Sequence, residues 1–167
     1  QLGLGPEELA QHIAWDIGIA GLGSQLAMKL DACLIRQNYS RLVIDCNRPL
    51  TARDSIVAVS EDTAIPGNQQ VQPAEATCRA QAIFKPYHER IRQELVARQR
   101  AGRPTILVSL HSFTPVFRGK HRPWHAGVLF HRDTRLALPL LDLLRAERGL
   151  VIGENEPYAV SDASDYT

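Results

Sequence analysis

The chain has 167 residues, 44% of them hydrophobic, and its charges nearly cancel, with 19 Lys and Arg against 18 Asp and Glu. That length suits a single domain, residues 1–167, with a real core, and the balance gives no electrostatic ground for nucleic acid or an anionic membrane as partner, so a small molecule is expected. No apolar run reaches the roughly 18 to 20 residues of a membrane span, and no stretch reads as a secretory signal.

Cys33, Cys46 and Cys78 are odd in number and lack metal-type spacing, which points to free thiols in a reducing cytoplasm. The chain begins at Gln1 without methionine and stops at Asp165-Tyr166-Thr167 just after a polar loop, as a piece of a longer polypeptide does. Pro6-Glu7-Glu8 places proline and acids as in a helix first turn, and Leu9, Ile13 and Ile17 continue at helical spacing. Gly18, Gly21 and Gly23 weaken the pattern locally while Ile19, Leu22, Leu26 and Leu30 keep the period, so a bent helix or two consecutive ones are expected to about Leu30. His12 and Asp16 then lie one turn apart on a shared face, where they either hold a metal or form a surface ion pair.

Residues 33–35 and 41–45 are strand candidates separated by the turn-like Asn38-Tyr39-Ser40. The second runs into Asp45-Cys46-Asn47-Arg48-Pro49, where an apolar run gives way to an acid, an amide and a guanidinium, and proline stops the strand. An arginine fork beside an asparagine suits a substrate carboxylate; the alternative is an Asp45 to Arg48 ion pair that stiffens the turn. Residues 51–72 show no sustained period and read as a long loop, either a lid or an ordered surface segment. A helix is expected over 73–100, with Ile83, Tyr87, Ile91 and Leu95 on one face, arginines on the other, and a kink at Lys85-Pro86.

Residues 105–113, Thr-Ile-Leu-Val-Ser-Leu-His-Ser-Phe, form an apolar β-run that ends on His111 between two serines. Such a run reads as a strand buried on both faces. Ligands bind beyond the carboxyl ends of strands in sheets of this kind, which puts His111 at an active edge unless it only caps the strand. A loop over 112–123 carries Phe113, Phe117, Arg118, Lys120 and Arg122, and residues 124–130 read as a strand entered through His125. Asp133 and Thr134 can cap a helix over 135–148 that Gly149 terminates, and a last strand at 150–153 leads into Glu154-Asn155-Glu156-Pro157-Tyr158. Helices alternate with buried strands, so an α/β sandwich is the expected class.

Five blocks in order carry a resemblance: His12-Ile13-Ala14-Trp15-Asp16-Ile17-Gly18, Asp45-Cys46-Asn47-Arg48-Pro49, Ser109-Leu110-His111-Ser112-Phe113, Arg122-Pro123-Trp124-His125 and Asn155-Glu156-Pro157-Tyr158. Together they resemble the N-formylglutamate amidohydrolase family across nearly the whole chain. The family is similar in fold to zinc carboxypeptidases and aspartoacylases, which implies a three-layer α/β/α sandwich with a mixed, mostly parallel sheet, phosphorylase/hydrolase-like. The resemblance further implies that Asn47 and Arg48 grip a substrate carboxylate and that His111 binds Zn2+.

By the same resemblance Asp16 is a candidate second metal ligand, His125 and Arg118 are candidate substrate contacts, and His12 and Asp45 support the site from behind. Zinc with an open position lowers the pKa of bound water, and a carboxylate can serve as general base. The expected reaction removes formyl, or a similar acyl group, from N-formyl-L-glutamate or a related N-acyl acidic amino acid. Family members begin with a strand closing on an Asp-His block and end with a strand carrying a catalytic acid, and neither is found in this sequence. The general base is therefore expected outside these residues. The alternative is a truncated, non-catalytic relative that binds a carboxylate ligand.

Overall fold

Pro6 supplies the fixed φ of a first helical turn and Glu8 accepts the Gly5 backbone N–H at 2.7 Å, yet the helix so started, α1 (Pro6–Leu9), lasts a single turn. In the computed structural model, which describes residues 2–160, turns and bends occupy residues 10–18, and α2 (Ile19–Leu30) starts only after Gly18 adopts φ +82°. Of the two expected arrangements, a bent helix or two consecutive ones, the chain forms two separate helices, the second ending at Leu30. His12 and Asp16, expected to share a helical face, lie in the intervening turns and take separate partners. Among the described residues no helix is long and apolar enough to cross a membrane.

The segment 41–45, expected to be a strand, is turn-rich instead, and Cys46 after it lies in a turn as well. Its carbonyls go to side chains rather than to a ladder: Asn68 Nδ2 donates to the Leu42 carbonyl at 2.7 Å, and Arg79 Nη1 donates to the Val43 carbonyl at 3.0 Å. Because extended backbone needs a partner for each polar group, a segment whose carbonyls are taken this way has no use for a neighbouring strand. Packing then fixes it from two sides. Leu42 is buried with Ala14 and Ile65, whereas Ile44 and Cys46 are buried with Ala80, Ile83 and Phe84. Each fully buried aliphatic side chain contributes roughly 1.5 to 3 kcal/mol, so the short segment carrying Asp45 is clamped between two apolar clusters.

Residues 51–72 are not a bare loop. They contain the hairpin β1 (Val59–Ser60) and β2 (Thr63–Ala64), then a single 3-10 turn, Pro66–Asn68. Ile65 is completely buried, and Asn68, also buried, donates to both Leu42 and Val57 carbonyls. The middle of the segment is therefore a fixed wall of the core.

The helix expected over 73–100 forms, as α3 (Pro73–Arg79), a π-helical turn (Ala80–Phe84) and α4 (Lys85–Arg100). The π turn ends two residues before Pro86, whose missing N–H and bulky ring disrupt the regular ladder. The expected face is kept: Ile83 and Phe84 are buried, and Tyr87 packs against them. Burial lowers the pKa of His88, whose Nε2 donates to the Cys46 carbonyl at 2.9 Å, and burial likewise pushes the Cys46 thiol up, leaving it inert. None of the three cysteines is disulfide-bonded.

Residues 105–113 depart most from expectation. Among the described residues they join no ladder, and Ile106, Leu107 and Val108 are 68%, 55% and 54% exposed rather than buried. Within residues 105–111 only Leu110 is drawn in, closing with Leu34 on Gly23 of α2, where an added Cβ would stand 3.6 and 3.3 Å from them. A doubly buried strand needs partners on both edges and cover on both faces. The described residues supply neither. Among the described residues no mostly parallel sheet is seen; they form a mixed α/β structure with three two-stranded ladders.

The chain divides at Phe113 and Thr114 into two compact units. In the second, β3 (Val116–Phe117) and β4 (Lys120–His121) make a tight hairpin whose two turn residues, Arg118 and Gly119, both have positive φ, the geometry that suits the strand twist. β5 (Ala126–Val128) pairs in parallel with β6 (Ile152–Glu154), and α5 (Ala137–Ala146) supplies the crossover such a pair requires. Val128, Ala137 and Leu141 are its core.

Gly127 and Gly153 stand opposite each other in that ladder, and the Asn155-Glu156-Pro157 block folds back over both. A Cβ on Gly127 would collide with the Glu156 carbonyl oxygen, and one on Gly153 would lie 2.8 Å from it. Since the obstacle is backbone, it cannot swing aside. Gly127→Ala is therefore expected to cost about 3 kcal/mol, whereas Gly21→Ala, with open space around an α2 position, should stabilise by about 0.5 to 1 kcal/mol. Urea unfolding of both variants tests this, and equal midpoints would show that the ladder yields freely at Gly127.

Candidate functional site

The clamped segment 41–46 presents Asp45, 9% exposed, and every oxygen of its carboxylate is engaged. Oδ1 accepts the Asn47 backbone N–H at 2.8 Å, an Asx turn that sets the direction of the chain into Asn47 and Arg48. Oδ2 accepts two N–H groups of Arg41, from Nη2 at 2.7 Å and Nε at 3.2 Å. The main chain adds a bond from the Asp45 N–H to the Ser55 carbonyl at 2.8 Å and one from the Arg48 N–H to the Asp45 carbonyl at 3.3 Å.

Arg41 also faces Asp16, with Nη1 3.8 Å from Asp16 Oδ1. The other oxygen of Asp16 lies 2.7 Å from Nδ1 of His111. A carboxylate only accepts, so Nδ1 carries the proton and the ring is turned to offer Nε2 as a base or ligand. A polar chain therefore runs His111, Asp16, Arg41, Asp45, Asn47 within one unit, joining residues 95 apart in sequence at its first link. The His111 side chain is half exposed and that of Asp16 is 22% exposed.

Arg48 does not pair with Asp45. Its Nε donates to Asp54 Oδ2 at 3.0 Å and its Nη1 to the Asn47 carbonyl at 2.9 Å, so the guanidinium is aimed by a partner that is itself 60% exposed. An exposed pair of this kind contributes at most about 1 kcal/mol, little enough for a better-placed carboxylate to replace it. His12 lies apart from Asp16: its Nε2 is 2.9 Å from Oε1 of Glu61, at the tip of the β1–β2 hairpin.

His125 and Arg118 belong to the second unit. Nδ1 of His125 accepts the Val151 N–H at 2.9 Å while the His125 N–H donates to the Val151 carbonyl at 2.8 Å, so the ring extends the parallel ladder and its proton sits on Nε2. Arg118 at the hairpin tip lies over Phe117, 5.3 Å from the ring centroid, and Arg122 stands over both Phe117 and Tyr158 at 4.6 and 4.9 Å.

Asp16, expected as a metal ligand, thus engages the imidazole of His111, the other candidate. Among the described residues no three His, Cys, Asp or Glu side chains gather to hold a metal ion. They offer one oriented imidazole nitrogen, short of the three protein ligands that a catalytic zinc takes. Sequence reasoning missed Arg41 and Asp54. The i,i+4 spacing of Arg41 and Asp45 was a usable signal, but a segment taken as a strand puts those two residues about 13 Å apart.

No curated protein matches the chain. Among solved structures, it is similar to a gene product from Agrobacterium tumefaciens, with 39% identity and a TM-score of 0.90 over 95% of this chain and 62% of that one. The 167 residues therefore span less than two thirds of that chain's length. All of residues 1–167 match the model of the N-formylglutamate amidohydrolase family, and the chain belongs to that family.

Proposed function

We propose that the intact protein hydrolyses the amide of N-formyl-L-glutamate or a related N-acyl acidic amino acid, with water as co-substrate and formate and the free amino acid as products. The observation that carries this, beside family membership, is the polar chain from His111 to the Asn47-Arg48 turn. It holds an oriented imidazole and a carboxylate-binding pair in one framework. Arg48 and Asn47 take the substrate's side-chain carboxylate, and a guanidinium and amide placed for a carboxylate disfavour ligands that lack one. His111 directs Nε2 to the reacting amide, Asp16 holds the ring, and Asp45 holds the turn.

Zinc is the expected cofactor. The described residues do not make a zinc centre by themselves, and His111 is the one we propose to contribute a ligand, with the remaining ligands and the general base coming from elsewhere. His125 and Arg118 are proposed to touch substrate and His12 to support the site. We also propose that the unpaired apolar run 105–110 is an interior strand of a three-layer α/β/α sandwich of the domain to which residues 1–167 belong. Three unpaired thiols fit a reducing, cytoplasmic setting.

Incubating the intact protein with N-formyl-L-glutamate and measuring formate and glutamate decides the matter. Equimolar release of both is expected. No release, together with calorimetric binding of the compound, would favour a carboxylate-binding protein without catalysis, a second reading that rests on the short ligand set among the described residues.

A further inference from the structure

Arg41 belongs to none of the groups so far given a task, yet it touches the carboxylates on both sides of the site. Its Nη2 and Nε close on one oxygen of Asp45, and its Nη1 stands 3.8 Å from Asp16. Asp16 holds the ring of His111, and Asp45 holds the backbone of Asn47. Asp45 is nearly buried and wedged between two apolar clusters, so it is the fixed end; Asp16 lies in the irregular stretch between α1 and α2, so it is the end that needs holding.

We propose that Arg41 is a positioning residue that ties Asp16 to the Asp45 anchor and so fixes the direction of His111 Nε2 relative to the Asn47-Arg48 turn. The inference rests on the function proposed above for its kinetic consequences, but not for its structural one. A guanidinium fits because its planar fork reaches two carboxylates at once, whereas an ammonium is a point charge that serves one well. Without it, Asp16 and Asp45 face each other as like charges, Asp16 withdraws, and the imidazole loses its preferred tautomer.

Three measurements on the intact protein test this with Arg41→Gln and Arg41→Lys. In 15N-histidine-labelled protein the His111 ring should show a protonated Nδ1 and an unprotonated Nε2 in the wild type, averaged nitrogen signals in Arg41→Gln, and partial recovery in Arg41→Lys. In kinetics, Arg41→Gln should lower kcat about 10- to 100-fold, as loss of a ligand-orienting partner does. The same substitution made in an Asp16→Asn background should lower kcat less than threefold further, since both changes break one connection. Unchanged ring signals in Arg41→Gln, or a full and independent loss of kcat in the Asp16→Asn background, would overturn the proposal and leave Arg41 a brace of the Asp45 turn. A wild type that releases no formate would remove the proposed function, and the ring signals would still decide whether Arg41 holds His111.

Discussion

His111→Ala in the intact protein is expected to lower formate release from N-formyl-L-glutamate by roughly a hundred- to ten-thousandfold, the contribution of a well-placed proton-transferring or ligating imidazole. The side chain is half exposed and, among the described residues, is bonded to Asp16 alone, itself part exposed. Losing it should therefore change stability by no more than about 0.5 kcal/mol, as for surface positions generally. Asp16→Asn leaves the imidazole in place but presents an amide that can turn its NH2 toward Nδ1. That removes the preference for the Nδ1 proton, and a smaller loss of about 10- to 100-fold is expected. The ordering matters. Wild-type turnover in His111→Ala, with the fold intact by circular dichroism, would remove His111 from the site altogether, and equal losses in both variants would mean that orientation is all that His111 needs from Asp16.

Arg48→Lys should weaken selection for the acidic substrate about ten- to a hundredfold in kcat/KM. Losing a charge-assisted fork costs on the order of 1.5 to 3 kcal/mol. Lysine retains the charge and loses the planar geometry, and neutral N-formyl amino acids should be hardly affected. Because Arg48 is aimed by Asp54 rather than by Asp45, a second substitution separates binding from bracing. Asp54→Asn removes a competing carboxylate and should tighten binding of the acidic substrate a fewfold. Steady-state kinetics on the acidic compound and its amide counterpart give the answer. An equal loss on both in Arg48→Lys, with no gain in Asp54→Asn, would make Arg48 a strut of the turn and move the search for the carboxylate anchor to Arg118 or Arg122.

Local chemistry was legible where it acts alone. Pro73 and Glu75 start a helix, and Pro86 disturbs it where its missing N–H dictates, because these effects depend on neighbours within one or two turns. The β5–α5–β6 unit follows similarly from two short apolar runs around a helix, although α5 ends at Ala146 on an extended Glu147 and not at Gly149 as the sequence suggests. The family was legible from five ordered blocks. What they do is less uniform. Asn155 turns its side chain back to accept the Phe130 N–H at 2.8 Å, so at least part of the last block serves the ladder's edge rather than a substrate.

Tertiary structure decided the rest, and the cause is the same each time: the deciding partner is far away in sequence. Residues 41–46 have the composition of a strand, but Asn68 and Arg79 occupy their carbonyls, so backbone hydrogen bonding, not apolar content, chose their conformation. His12 and Asp16 have helical spacing, but Glu61 takes one and His111 the other. Residues 105–110 have the pattern of an interior strand, and a pattern cannot supply the flanking strands that would bury it. From sequence alone came the residue types that carry the chemistry, an imidazole after an apolar run and a guanidinium beside an amide. Only the fold could bring them together, because the Asp16 to His111 bond closes a 95-residue gap and is fixed by long-range packing rather than by any local preference.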